Sequence, residues 1–151
     1  MTLAGTFHSN TISKTMNSLI GYITSASLGT CSGGRATILR ETLPWHIVYS
    51  GFTGTLPNIR SVNMDIIGLS MAVETEGVAC LLRTTTTNRW RLRRDYEFFV
   101  NQWYWILLLW VYVPVPLTGG FLCTLAGDAE MEGIERPIRD NGGALIAVRL
   151  I

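Results

Sequence analysis

Few side chains in this sequence are suited to chemistry, and they are far apart. The histidines are His8 and His46. Neither belongs to an H-E-x-x-H pattern, and no G-x-S-x-G, P-loop lysine or G-x-G-x-x-G occurs. The sequence therefore nominates no activated nucleophile, no metal-bound water and no phosphate cradle. His46 stands beside Trp45 in an alternating stretch, which predicts a structural role. The acids Asp128, Glu130, Glu132 and Glu135 alternate with small or apolar residues. Oxygen ligands at such spacing can hold calcium. The Asp-x-Asp-x-Asp-Gly order is missing, however, and Arg136 and Arg139 lie alongside, so a salt-bridged or solvated loop is expected. No catalytic residue, metal or other cofactor, and no small-molecule substrate, is expected.

The arginines carry more content. Asn88-Arg89-Trp90-Arg91-Leu92-Arg93-Arg94 alternates so that Arg89, Arg91 and Arg93 fall on one strand face and Trp90 and Leu92 on the other. Neighbouring guanidinium groups repel, so they need anionic partners. The acids Asp128, Glu130 and Glu132 of a neighbouring copy are the first expectation. A plain solvated face is the second. Nucleic-acid phosphates are the third, disfavoured by a net charge of only +1, because dedicated nucleic-acid binders are strongly basic.

The elements that must position these groups read mostly as strands. The 151 residues fit one domain. Charged residues make up 15% and apolar ones 48%, where a solvated monomer carries about 25% charged. Lys14 is the only lysine, beside eleven arginines, and there are five tryptophans. Arginine and tryptophan favour interfaces, whereas lysine favours free surface. Cys31, Cys80 and Cys123 are widely spaced and odd in number, which predicts buried free thiols in a reducing compartment. No glycosylation sequon occurs, and the apolar run after Lys14 is too short for a signal peptide.

Residues 1–10 read as an arm. Ile12, Met16, Leu19, Ile20 and Ile23 recur at helical spacing and predict an amphipathic helix between Ser9 and Ser27. After the joint Cys31-Ser32-Gly33-Gly34, strands are predicted at Ala36–Glu41 and Trp45–Ser50, with a turn region over Gly51–Pro57. A long strand follows at Ile59–Val73. A hairpin turn is expected at Glu74-Thr75-Glu76-Gly77, with a return strand at Val78–Thr86. Further segments are predicted at 88–94, Phe98–Val115, Phe121–Ala126 and Ala144–Ile151, with a polar loop over Gly127–Gly143.

Phe98 to Gly127 contains no charged residue. A transmembrane span near 98–116 would place Arg91, Arg93 and Arg94 against anionic headgroups. Only sixteen residues precede the break at Pro114 and Pro116, where a span needs about 20. A strand buried on both faces explains the same run, and its aromatic and β-branched content favours that reading.

The expected fold is mainly β: an antiparallel β-sandwich or jelly-roll-like domain over 35–151, behind an N-terminal arm or short helix over 1–34. The expected function is non-enzymatic assembly, as a capsid shell or decoration subunit of a virus particle. Its partners would be copies of itself or other particle subunits, and its location the virion, assembled in host cytoplasm. Trp103, Trp105, Trp110 and Tyr112 would make the apolar contacts, and the arginine row and facing acids the polar ones. The alternative is a small single-span membrane protein.

Overall fold

The computed structural model describes residues 1–9, 11–31, 34–56, 58–75, 77–99, 102–105, 114–126, 128–130 and 149–150. Among them the chain is mainly β. In chain order the strands are β1 (Thr2–Phe7), β2 (Thr11–Ile12), β3 (Leu19–Ser27), β4 (Arg35–Ile38), β5 (Trp45–Thr55), β6 (Asn58–Ile67), β7 (Ser70–Thr75), β8 (Val78–Arg83), β9 (Trp90–Phe99), β10 (Gln102–Trp105), β11 (Pro114–Thr118), β12 (Asp128–Glu130) and β13 (Arg149–Leu150). A six-residue helix, α1 (Phe121–Ala126), precedes β12, and a 3-10 turn at Arg40–Thr42 precedes β5.

Two antiparallel sheets organise these strands, and one of them curls into a half-barrel. The six-stranded sheet has the order β1-β3-β5-β6-β9-β10, and the five-stranded sheet the order β12-β11-β8-β7-β4. β13 pairs in parallel with β2. Alternation places Trp45, Ile47 and Tyr49 of β5 and Val62, Met64 and Ile66 of β6 in the core. Leu69, Met71, Cys80, Leu82 and Leu117 join them from the other sheet's side, in one cluster. Full burial of each aliphatic side chain contributes about 1.5–3 kcal/mol.

The predicted helix between Ser9 and Ser27 is not formed, and its second half is β3. Two bulges explain the misleading spacing. Ile20 is the extra residue between the pairs Leu19↔Val48 and Gly21↔Ile47. Thr24 is the extra residue between Ile23↔Gly5 and Ser25↔Ala4. Each extra residue shifts the alternation by one, so Ile20, Ile23 and Ala26, spaced three apart, are all buried. Residues 2–7, read as an arm, are a strand of the same sheet.

The predicted strand Ile59–Val73 is two strands. Gly68 has φ +87°, a conformation open chiefly to glycine. There the chain leaves the six-stranded sheet and starts the five-stranded one. The junction is fastened by Gly68 N donating to Thr84 O (3.1 Å), Thr84 N to Leu69 O (2.9 Å), and Leu69 N to the Thr84 hydroxyl (3.0 Å). The predicted turn region at Gly51–Pro57 is instead mostly strand, because bulges at Tyr49/Gly51 and Thr53/Gly54 let β5 continue to Thr55. The hairpin after Glu74 forms as expected, with Thr75 opposite Val78.

The run predicted as one strand, Phe98–Val115, is also divided. Phe98 and Phe99 end β9, and Gln102–Trp105 returns beside it with Trp103 opposite Phe98 and Trp105 opposite Tyr96. Pro114–Thr118 then belongs to the other sheet. Residues 106–113 lie outside the described residues. Among the described residues, no helix is long and apolar enough to cross a membrane. Phe121–Ala126, expected as a strand, is α1. Of the predicted C-terminal strand, Arg149 and Leu150 are described, paired with Thr11 and Ile12.

Candidate functional site

A polar cleft lies on the flank of the six-stranded sheet, where the loop before β9 meets the turn before β3. Thr85 shapes that loop. Its hydroxyl accepts from Thr87 N (3.3 Å) and Asn88 N (3.0 Å), and its own N–H donates to Asn88 O (2.6 Å). Asn88 Nδ2 reaches back to Arg83 O at 3.3 Å. This tight turn aims Arg89 at the sheet. On the other side Asn17 adopts φ +66°, a left-handed conformation that asparagine tolerates. The turn is held to β5 by Asn17 N donating to Tyr49 O (2.8 Å) and Tyr49 N donating to Ser18 O (3.0 Å).

Arg89 joins these pieces. Its Nε donates to Thr86 O at 2.6 Å. Its Nη1 donates to Asn17 Oδ1 and lies 3.4 Å from Asp65 Oδ2. The Asp65 side chain is fully buried, while that of Arg89 is 24% exposed. Met16, Ser50, Asp65, Thr87, Asn88 and Arg89 line an open cleft of about 490 Å³. The Ser50 hydroxyl is buried and finds no partner among the described residues. Charge within the cleft is compensated: the guanidinium answers the buried carboxylate and cross-links a turn, a strand and a loop. Chemically this is a clamp, with a few hydroxyl and amide groups at its mouth.

Arg89 therefore has an anionic partner within its own chain. It also stands one residue ahead of β9 rather than in it. Arg91 and Arg93 are in β9, opposite Asp65 and Asn63. Asp128 and Glu130 are in β12, opposite Pro116 and Pro114, at the edge of the other sheet. Trp103 and Trp105 are in β10, at the edge of the six-stranded sheet. Trp110, Tyr112 and Glu132 lie outside the described residues. Asp65 and Asn17 were not singled out from sequence. Asp65 did carry a signal, as an acid within the apolar alternation Val62-Asn63-Met64-Asp65-Ile66.

The histidines meet elsewhere, on the sheet face around β3. Tyr22 stands between them, its ring centroid 4.9 Å from His8 and 5.3 Å from His46. Both histidines are exposed. Among the described residues no cluster of His, Cys, Asp and Glu is arranged to hold a metal ion.

The cysteines overturn a further expectation. Cys80 on β8 and Cys123 on α1 form a disulfide, with Cα atoms 5.6 Å apart, and Cys31 is free and exposed. The odd count concealed a pair that only the fold brings together. Beside this bridge Phe121 and Leu122 are 77% and 59% exposed. No protein family, curated protein or solved structure matches this chain.

Proposed function

We propose that this chain is a non-enzymatic assembly subunit, a shell or decoration protein of a virus particle, built as a β-sandwich or jelly-roll-like domain. The observation that carries the reading is the edge of the six-stranded sheet. Its last strand is the uncharged sequence Gln102-Trp103-Tyr104-Trp105, with no further strand beside it among the described residues. An uncharged aromatic edge strand is a template for pairing with another chain, and proteins that stay monomeric blunt such edges with charge or proline. Two contacts follow. The β10 edge pairs with a neighbouring copy, burying Trp103 and Trp105 with Trp110 and Tyr112. Arg91 and Arg93 of β9 face Asp128, Glu130 and Glu132 of that copy.

The disulfide adds a condition. Such bonds persist in oxidising surroundings, so a subunit assembled in host cytoplasm closes Cys80–Cys123 after leaving it. Size-exclusion chromatography with light scattering tests the reading. A discrete oligomer at micromolar concentration is expected, and Trp103→Glu with Trp105→Glu reduces it to monomer. A stable wild-type monomer in plain buffer overturns the reading.

A further inference from the structure

The cleft beside Arg89 holds hydrogen-bonding capacity that the clamp does not use. Arg89 commits Nε to Thr86 O and Nη1 to Asn17 Oδ1 and Asp65 Oδ2, and its Nη2 donates to no described residue. Asn88 gives Nδ2 to Arg83 O, and its Oδ1 accepts from no described residue. The Ser50 hydroxyl is buried and has no partner among the described residues. These three residues line one open cleft of about 490 Å³ together with Met16, Asp65 and Thr87, a size within the range of small-molecule sites, about 300–1,000 Å³. The bonds to Thr86, Asn17 and Asp65 already fix the guanidinium, so it has little freedom left to lose on binding. From these observations we propose that the cleft is a saccharide-binding site, which takes a neutral sugar ring against Arg89, Asn88 and Ser50. This goes beyond the assembly reading and does not depend on it.

The unused groups discriminate among ligand chemistries. A guanidinium nitrogen can only donate, an amide oxygen can only accept, and a serine hydroxyl can do either. An anion would satisfy Arg89 but be repelled by Asn88 Oδ1, and the fully buried Asp65 carboxylate already offsets the guanidinium charge. A cation would meet that guanidinium. A neutral ligand whose groups both donate and accept satisfies Arg89, Asn88 and Ser50 together, and adjacent sugar hydroxyls are such groups. Met16, 55% exposed, offers a polarizable apolar surface to the C–H face of the ring. A nucleobase would need an aromatic stacking platform, and none of the described residues lining the cleft is aromatic. An extended peptide would need a free strand edge, whereas β5 and β6, which carry Ser50 and Asp65, are interior strands of their sheet.

Saturation-transfer NMR on the full-length chain tests the proposal, and it reads a free subunit or an assembly alike. The probes are glucose, galactose, mannose and N-acetylglucosamine, with glucuronic acid and inorganic phosphate as anionic comparisons. Transfer to at least one neutral sugar is expected, with a dissociation constant on the order of 1 mM that does not change with salt. Ser50→Ala should weaken binding of that sugar about fivefold, the size of one neutral hydrogen bond. Arg89→Lys keeps a cation for Asp65 but removes the planar fork, and should weaken it at least about tenfold. Arg35→Ala, at an exposed position on the edge of the other sheet, should leave it unchanged. Circular dichroism confirms that each variant is folded. Ser50→Ala deletes a hydroxyl bonded to no described residue, so it decides the matter even where Arg89→Lys does not fold. Absence of transfer to all of the neutral sugars overturns the proposal, as does an undiminished affinity in Ser50→Ala or an equal loss in Arg35→Ala. If glucuronic acid binds more tightly than glucose, or phosphate displaces the neutral sugar, the cleft is an anion site and the proposal also fails. Light scattering reads the β10 edge separately, so loss of sugar binding with an intact oligomer leaves the assembly reading standing.

Discussion

The flank of the six-stranded sheet around Asp65 and the end of the five-stranded sheet around Cys123 are both fastened across long sequence separations, but by opposite means. At the first, a fully buried carboxylate meets Arg89, which also holds Asn17. At the second, a covalent bond joins residues 43 apart in sequence, and the nearby surface is apolar. An ionic clamp works only where the fold has already removed water from the carboxylate, so it depends on the core behind it. A disulfide works mainly by restricting the unfolded chain, so it can anchor a tip whose own side chains are exposed and contribute little packing. The polar fastening sits at an open cleft over a buried carboxylate, and the covalent one lies between two buried sulfurs beneath an exposed apolar pair.

Replacing both Cys80 and Cys123 by Ala should have the largest effect on this contrast. Closing a loop of 43 residues restricts the unfolded chain by about 4 kcal/mol on the entropic account. The denaturation midpoint should fall accordingly, and a reducing agent should lower the wild type to the same value. An unchanged midpoint would mean that α1 packs well enough without its bond.

The ionic clamp should follow in size. Arg89→Ala removes a hydrogen-bonded charge from a buried carboxylate, and a loss of about 2 kcal/mol is expected because Arg89 is partly solvated. Asn17→Ala should be smaller. In a double-mutant cycle with Arg89→Ala the two should be non-additive, as expected for groups in one network. Additive losses would dissolve the clamp into independent contacts.

Tyr49 sharpens the comparison on its pH axis. Burial pushes its phenol above the ordinary 10.0. The folded state therefore favours the protonated form, and this contribution is complete below pH 10 and is lost as pH rises towards the folded value. Thermal melts between pH 9 and pH 11 should show a steeper alkaline decline for the wild type than for Tyr49→Phe. The smallest effect is expected at Trp90, whose indole N–H is buried with no acceptor among the described residues. Trp90→Phe gives up packing but relieves that group, and the midpoint should move by less than about 1 kcal/mol.

Much of the fold was legible where a single alternation ran unbroken. Val62, Met64 and Ile66 announced β6, and Glu74 to Gly77 announced the following hairpin. The break at Gly68 was settled by the structure, where the buried apolar residues run 62, 64, 66 and then 69, 71. The reading failed where bulges intervened. In β3 they reproduce helical spacing with strand geometry, and a bulge is a property of two paired strands rather than of either one. The aromatic run was read as one strand because Val100 and Asn101 carry none of the glycine or asparagine-glycine chemistry that marks a tight turn.

The site was less legible than the fold. Arg89 drew notice because of its neighbours in sequence, while its actual partners, Asp65 and Asn17, come from 24 and 72 residues away. Phe121 and Leu122 belong to a stretch that reads as another strand, and in α1 they are exposed.

By itself the sequence determined that this is a β-rich chain, poor in charge and holding five tryptophans in 151 residues. Those properties are sums over residues, or short-range alternation, and do not depend on which strands meet. Only the tertiary structure decided which cysteines bond, which acid answers Arg89, and which apolar residues face outward. Each of those is settled by pairing between distant segments, through sheet order and register, and no local preference encodes it.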